Sequence, residues 1–170
     1  MSRIAVEQLL YLTDNAFETV SAPADEAHSL LSNLRSVADD DWLWVPPGGG
    51  RRIFDIVRHV GECKYVYDNH AFGDGAMRWD RPGIVPTIDR DTPREDVIDF
   101  LRKGQARWRG SIARLSGDGE LRRMRRTNWG QMKETRWLVA VMIEHDIYHA
   151  GEINHIRALH QETDRWAWET

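Results

Sequence analysis

The sequence predicts an all-α fold: a four-helix bundle with a short extra helix at its N-terminus and a long crossover between its second and third helices. Three observations predict it. Apolar residues recur at three-and-four spacing in long stretches, no stretch shows the alternation of a strand, and clusters of glycine and proline separate the stretches. A chain of 170 residues suits one domain, residues 1–170, with a single sizeable core.

The stretch from Ile4 to Val37 reads as a short leading helix followed by helix one. Leu9, Leu10 and Phe17 mark the first piece, Leu30, Leu31 and Leu34 the second, and Ser21-Ala22-Pro23 breaks them. From Asp39 to Gly50, Trp42, Trp44 and Pro46-Pro47-Gly48-Gly49-Gly50 form a connecting loop. Helix two runs from about Arg52 to Phe72, its inward stripe being Ile56, His59, Val60, Cys63, Tyr67 and His70. Residues 76–91, with Pro82, Gly83 and Pro86, form the crossover. Thr92-Pro93-Arg94-Glu95 then reads as N-cap, N1 proline and N3 glutamate of helix three. Val97, Ile98, Leu101, Trp108, Ile112 and Leu115 give that helix one face, and Ser116-Gly117-Asp118-Gly119 stops it. A basic loop leads to helix four, from about Met132 to Gln161, with Leu138, Val141, Met142, Ile156 and Leu159 in its buried stripe.

Composition narrows the function classes. A net charge of −4 gives no general attraction to nucleic acid or anionic lipid. The longest apolar run, Trp137 to Ile143, is too short to span a bilayer, and the N-terminus lacks a secretory pattern, so a cytoplasmic protein is expected. Cys63 is the single cysteine, which rules out an internal disulfide and an all-thiolate metal site. The triple glycine lacks the strand and the Gly-Lys-Ser/Thr run of a phosphate loop and reads as a turn. Arg122, Arg123, Arg125 and Arg126 could bind an anionic thiol, phosphate or nucleic acid, but beside the acidic residues of this chain they read as a solvated loop. Trp166-Ala167-Trp168 would expose aromatic surface unless it folds back or meets another subunit, and a homodimer contact is the expectation.

Chemistry concentrates on helix four. At about 100° per residue, His145 and His149 lie about 40° apart and Glu152 returns within about 20° of His145. Their shared face is the apolar one. Unpartnered polar groups on a core face cost a few kcal/mol each, on the order given by transfer data, so they need one another, water or a metal ion. Two neutral imidazoles one turn apart can chelate an ion, and His59, between Ile56 and Cys63 on helix two, is the natural third ligand. A metal-free cluster of hydrogen-bonded histidines is the plainer alternative. His145-Asp146-Ile147-Tyr148-His149 has aspartate where a zincin protease needs glutamate, and Glu152 with His155 is the single Glu-x-x-His pair where a di-iron bundle needs two.

On these residues the chain resembles the DinB-like (YfiT-like) metal-binding four-helix bundles. The resemblance rests on His59-Val60, on the run from Glu144 to Ile153, and on the Trp42 to Pro47 loop, and covers nearly everything beyond the leading helix. It implies His59, His145 and His149 as ligands of one divalent ion, with glutamate at position 152 where glutamine is common. Relatives include thiol S-transferases and a mycothiol-dependent isomerase. The implied activity is therefore a metal-dependent transferase, or a related hydrolase or isomerase, that uses a low-molecular-weight thiol and a small-molecule substrate. Three imidazoles suit zinc, nickel, iron or copper alike, and zinc or nickel, with iron after them, is the expectation. The alternative is a non-catalytic binding or stress-response module with a structural or sensing ion.

Glu152, Cys63, Tyr67 and His70 are the candidates for residues around the ion or its pocket. Cys63 is one turn from His59, yet buried cysteine usually acts as a small apolar residue. His70 lies three turns from His59, too far to share its ion, and a capping or surface role is expected of it. Tyr67 and Tyr148 could offer hydroxyls but read as packing residues.

Overall fold

The computed structural model describes residues 2–19, 28–79 and 87–169. Helices α1 (Ile4–Phe17), α2 (Leu30–Arg35), α3 (Ile53–Phe72), α4 (Arg94–Ala113) and α5 (Thr135–Gln161) dominate it. Between α4 and α5 stand a 3-10 turn (Asp118–Arg122) and two short strands, β1 (Met124–Arg126) and β2 (Met132–Glu134). Helices α1 and α3 each pack on α4 and on α5, so α1 faces α3 across one diagonal of the bundle and α4 faces α5 across the other. The all-α bundle read from the sequence is the architecture. The expected break at Ser21-Ala22-Pro23 and the crossover prolines lie outside the described residues.

The long helices form because each carries an apolar face that another helix covers. Ile53, Ile56, Val57 and Val60 of α3 and Val97, Leu101, Trp108 and Ile112 of α4 are all fully buried. Each such side chain contributes about 1.5–3 kcal/mol by leaving water. Gly61 and Gly104 let α3 and α4 approach closely: a Cβ on Gly61 would stand 2.5 Å from Phe100 Cε1, and one on Gly104 would stand 3.0 Å from Tyr65. The first turn of α3 is closed by Asp55, whose carboxylate accepts from the backbone N–H of Arg52. At its far end the Asn69 carbonyl accepts from both Gly73 and Gly75.

The apolar core divides in two. One cluster joins α2, Trp42, the first half of α3 and Ala150 to Ile156 of α5. The other joins Val6, Cys63, Ala71, the second half of α4 and Leu138 to Met142 of α5. On α3 the changeover falls between Val60 and Cys63, and on α5 between Met142 and Ala150. The intervening layer is polar and holds the histidine cluster.

Several details differ from the sequence reading. The leading helix is the longer of the first two, fourteen residues against six. Residues 124–126 and 132–134, expected as loop and helix, pair antiparallel with Arg125 opposite Lys133. Three-residue strands are too short to show alternation, and the turn between them closes on Gly130 at φ +89°. Thr92 is not the N-cap of α4, because its hydroxyl is spent on Asp89 and the helix starts one residue later. Leu159 is half exposed rather than in the buried stripe. The last tryptophans fold back: Trp166 Nε1 donates to Asn33 of α2 and the two indoles stack. The aromatic surface that suggested a subunit contact is thus partly covered within the chain.

Candidate metal centre

His59 comes from α3 and His145 and His149 come from consecutive turns of α5, and their rings meet. Ring centroids are 5.2 Å apart for His59 and His145, 5.3 Å for His59 and His149, and 4.4 Å for His145 and His149. The Nε2 atoms face one another, with His145 Nε2 3.3 Å from that of His59 and 3.2 Å from that of His149. Nitrogens bound at 2.0–2.1 Å around a tetrahedral zinc stand about 3.3 Å apart, a spacing that these two pairs match.

The donor set fits as well. A neutral imidazole has one N–H, and the middle ring cannot donate from Nε2 to one neighbour while accepting there from the other. A cation would use all three lone pairs. On His149 the assignment of the proton is fixed, because Nδ1 lies 2.8 Å from the Glu152 carboxylate. With Nδ1–H donating there, Nε2 is left as a lone pair. Arg51 in turn holds Glu152, its Nη2 2.9 and 2.8 Å from the two carboxylate oxygens. His145 Nδ1 is buried without a hydrogen-bond partner among the described residues.

Electrostatics keep the rings neutral, the form that ligates. Burial first, then the neighbouring His149 and His59, pushes His145 down to about 3. Burial is likewise the largest cause lowering His59 and His149, opposed on His149 by its bond to Glu152.

Cys63 also belongs to the neighbourhood. Its Sγ is 3.6 Å from His59 Nε2, and His59, Cys63 and His145 together offer ligand atoms within 4.8 Å of one another. Burial pushes its thiol up to about 12, with Lys64 opposing. Tyr67 lies one turn further along, half-buried and edge-on to Trp129 of the hairpin turn at 5.9 Å, while Trp129 is edge-on to Trp137 at 6.2 Å. His70 is away from the cluster and not at the surface as expected. It is buried, and its Nε2 meets the Met77 carbonyl at 3.0 Å, pinning the loop after α3. The arginine cluster is not wholly solvated either, because Arg125 tucks under the hairpin and donates to Thr135 Oγ1 and to the Ala71 carbonyl.

Two features escaped the sequence reading. Lys64 and Asp146, adjacent to Cys63 and His145, form a buried ion pair between α3 and α5. Lys64 continues the apolar series Ile56, Val60 at four-residue spacing, and that misplaced charge was the available signal. Asp40, Asp41 and His160 also gather potential ligand atoms. There, however, Asp41 is committed to the Ala38 N–H, Gln161 and His160, so it ties the tryptophan loop to the end of α5.

Among the described residues no helix is long and apolar enough to cross a membrane. Among curated proteins none matches the chain. The family model of the DinB superfamily matches residues 24–153, a span that takes in the tryptophan loop, all three histidines and Glu152. Covering well over half of the sequence, the match means that this chain belongs to the DinB superfamily.

Proposed function

We propose that this chain is a cytoplasmic metal-dependent enzyme that holds one divalent ion through His59, His145 and His149 and transfers a low-molecular-weight thiol to a small electrophilic substrate. The observation that carries the reading is that His145 Nε2 stands 3.3 Å from that of His59 on the other helix and 3.2 Å from that of His149. His149 is a better third ligand than Cys63. Its Nδ1 proton is already committed to Glu152, which leaves Nε2 free as a lone pair, with Cys63 the alternative donor beside His59 and His145.

When bound, a divalent cation supplies Lewis-acid stabilisation of a thiolate at neutral pH. The chain's own residues supply position. Glu152 and Arg51 fix the His149 ring, and the Lys64–Asp146 pair joins the two backbones that carry the ligands. Three imidazoles leave coordination positions for the thiol, and Tyr67 with Trp129 offers an aromatic wall one turn beyond Cys63 for an apolar electrophile. The nitrogen set accepts zinc, nickel, iron or copper, and zinc or nickel is the ion proposed.

Elemental analysis of untagged protein tests the site. About one equivalent of metal is expected by the coordination argument. Less than about a tenth of an equivalent after reconstitution defeats it. A screen of small thiols against halogenated and epoxide electrophiles tests the reaction, and turnover that survives His149→Ala would show that the metal centre is not its seat. Metal binding without any turnover would favour a structural or sensing ion.

A further inference from the structure

A cavity of about 370 Å³ opens beside Phe72, at the opposite end of α3 from the first of the three histidines. Arg114, Arg123 and Arg125 bring three guanidinium groups to it against one carboxylate, that of Glu120. The compensation is incomplete. Glu120 Oε2 is 3.4 Å from both Arg123 Nη1 and Arg125 Nη2, so one oxygen is shared between two cations at the outer limit of hydrogen bonding. Arg114 donates to the Ser111 hydroxyl at 2.8 Å rather than to an acid.

Other groups that could compensate these charges are occupied. Asp68 accepts from Ser111 and Arg107, and Asp118 accepts from Ser2, Ala5 and Val6 at the start of α1. The carbonyls of Ala113 and Leu115, which would repel an anion at the end of α4, accept from Arg3. Arg125 is held rigidly: its guanidinium lies 4.4 Å over the Phe72 ring and its side chain is 12% exposed. A fixed, partly desolvated guanidinium attracts an anion more strongly than a mobile surface one, because both the dielectric and the ordering cost are lower. Burial, followed by the charge of Arg123, also holds Arg125 below its ordinary pKa, a condition that a nearby anion relieves.

We propose that this cavity is a binding site for a doubly charged oxyanion, a phosphate group, gripped by Arg114, Arg123 and Arg125. Three cations against one carboxylate leave an excess of two positive charges, which phosphate neutralises and a monoanion such as acetate does not. Thirteen residues of α3 separate Phe72 from His59, about 20 Å at 1.5 Å per residue, so the site is separate from the histidine cluster.

Calorimetric titration of the full chain with inorganic phosphate, phenyl phosphate and acetate tests the proposal. Phosphate should saturate, and acetate should bind at least about tenfold more weakly, the equivalent of about 1.4 kcal/mol. Arg114→Gln with Arg123→Gln should lose at least about tenfold in phosphate affinity with an unchanged melting temperature, since both side chains are exposed and Arg125 is left in place. Tighter binding of phenyl phosphate assigns the site to a phosphate ester whose apolar group meets the Phe72 and Leu115 lining, and equal binding assigns it to the free ion. No saturation by phosphate, equal affinity for acetate, or undiminished binding in the double variant overturns it.

Discussion

Lys64 and Asp146 close an ion pair in the middle of the bundle, Nζ lying 2.8 and 2.7 Å from the two carboxylate oxygens with both side chains sealed from solvent. Each stands next in sequence to a residue of the histidine neighbourhood. Phe17 of α1 covers the ammonium, its ring centroid 5.2 Å from Nζ, so the pair joins three helices at the polar layer.

Removing one partner strands the other charge in the core. Lys64→Met or Asp146→Leu alone should cost about 3–5 kcal/mol of stability, and the double replacement should recover most of it. Urea denaturation of the three variants measures this. A double variant as unstable as the singles would show that packing, not charge, dominates there.

Glu152 acts on the proposed ligand His149 through its other nitrogen. Glu152→Ala should weaken metal binding about 10- to 100-fold, measured by chelator competition. Arg51→Ala should do less, because it only steadies the carboxylate. Equal affinities across all three proteins would count against a positioning role.

Acid should destabilise the metal-free protein. The folded values of His59, His145 and His149 lie below 6.5 and that of His145 is about 3. The unfolded chain therefore binds more protons between those limits. Stability is at its full value above 6.5 and falls as pH drops toward 3. Melting temperatures of stripped protein across that range should decline steadily, and His145→Phe should flatten the decline.

Cys63 should be inert in the folded state, with its thiol held near 12 and only the thiolate reactive. Iodoacetamide at mildly alkaline pH should leave it unlabelled in native protein and label it rapidly in denaturant. Fast native labelling would point to an accessible, ionised sulfur.

Gly61 tests the contact between α3 and α4. A methyl group there meets the Phe100 ring at 2.5 Å, and Phe100 is already stacked on Tyr65. Gly61→Ala should destabilise by about 1–3 kcal/mol, as overpacking does. Adding Phe100→Leu should restore part of it.

The sequence was informative where a single helix carried the whole signal. The four-residue spacing of His145 and His149, the return of Glu152 to their face and the stripe containing His59 are all local patterns. What escaped depends on distant partners. Asp146 is 82 positions from Lys64 and Glu152 is 101 from Arg51, and nothing in either segment names the other. Thr92 illustrates a different limit: its capping motif was intact, yet Asp89 three residues earlier competed for the same hydroxyl. His70 looked terminal by position, and only the chain returning through Gly75 to Met77 buries it.

The ending of α5 bears on how short this protein can be cut. Arg157 has no solvent exposure, and its guanidinium donates to Asn154, to Gln161 and to the carbonyls of Asp164 and Arg165, all beyond residue 153 where the family match stops. Trimming the gene at that boundary would remove the arginine, its acceptors and the tail that seats Trp166 on α2. The packing of this end of α5 thus extends past the recognisable homology, taking in Ile156 of the core as well as Arg157 and the tail.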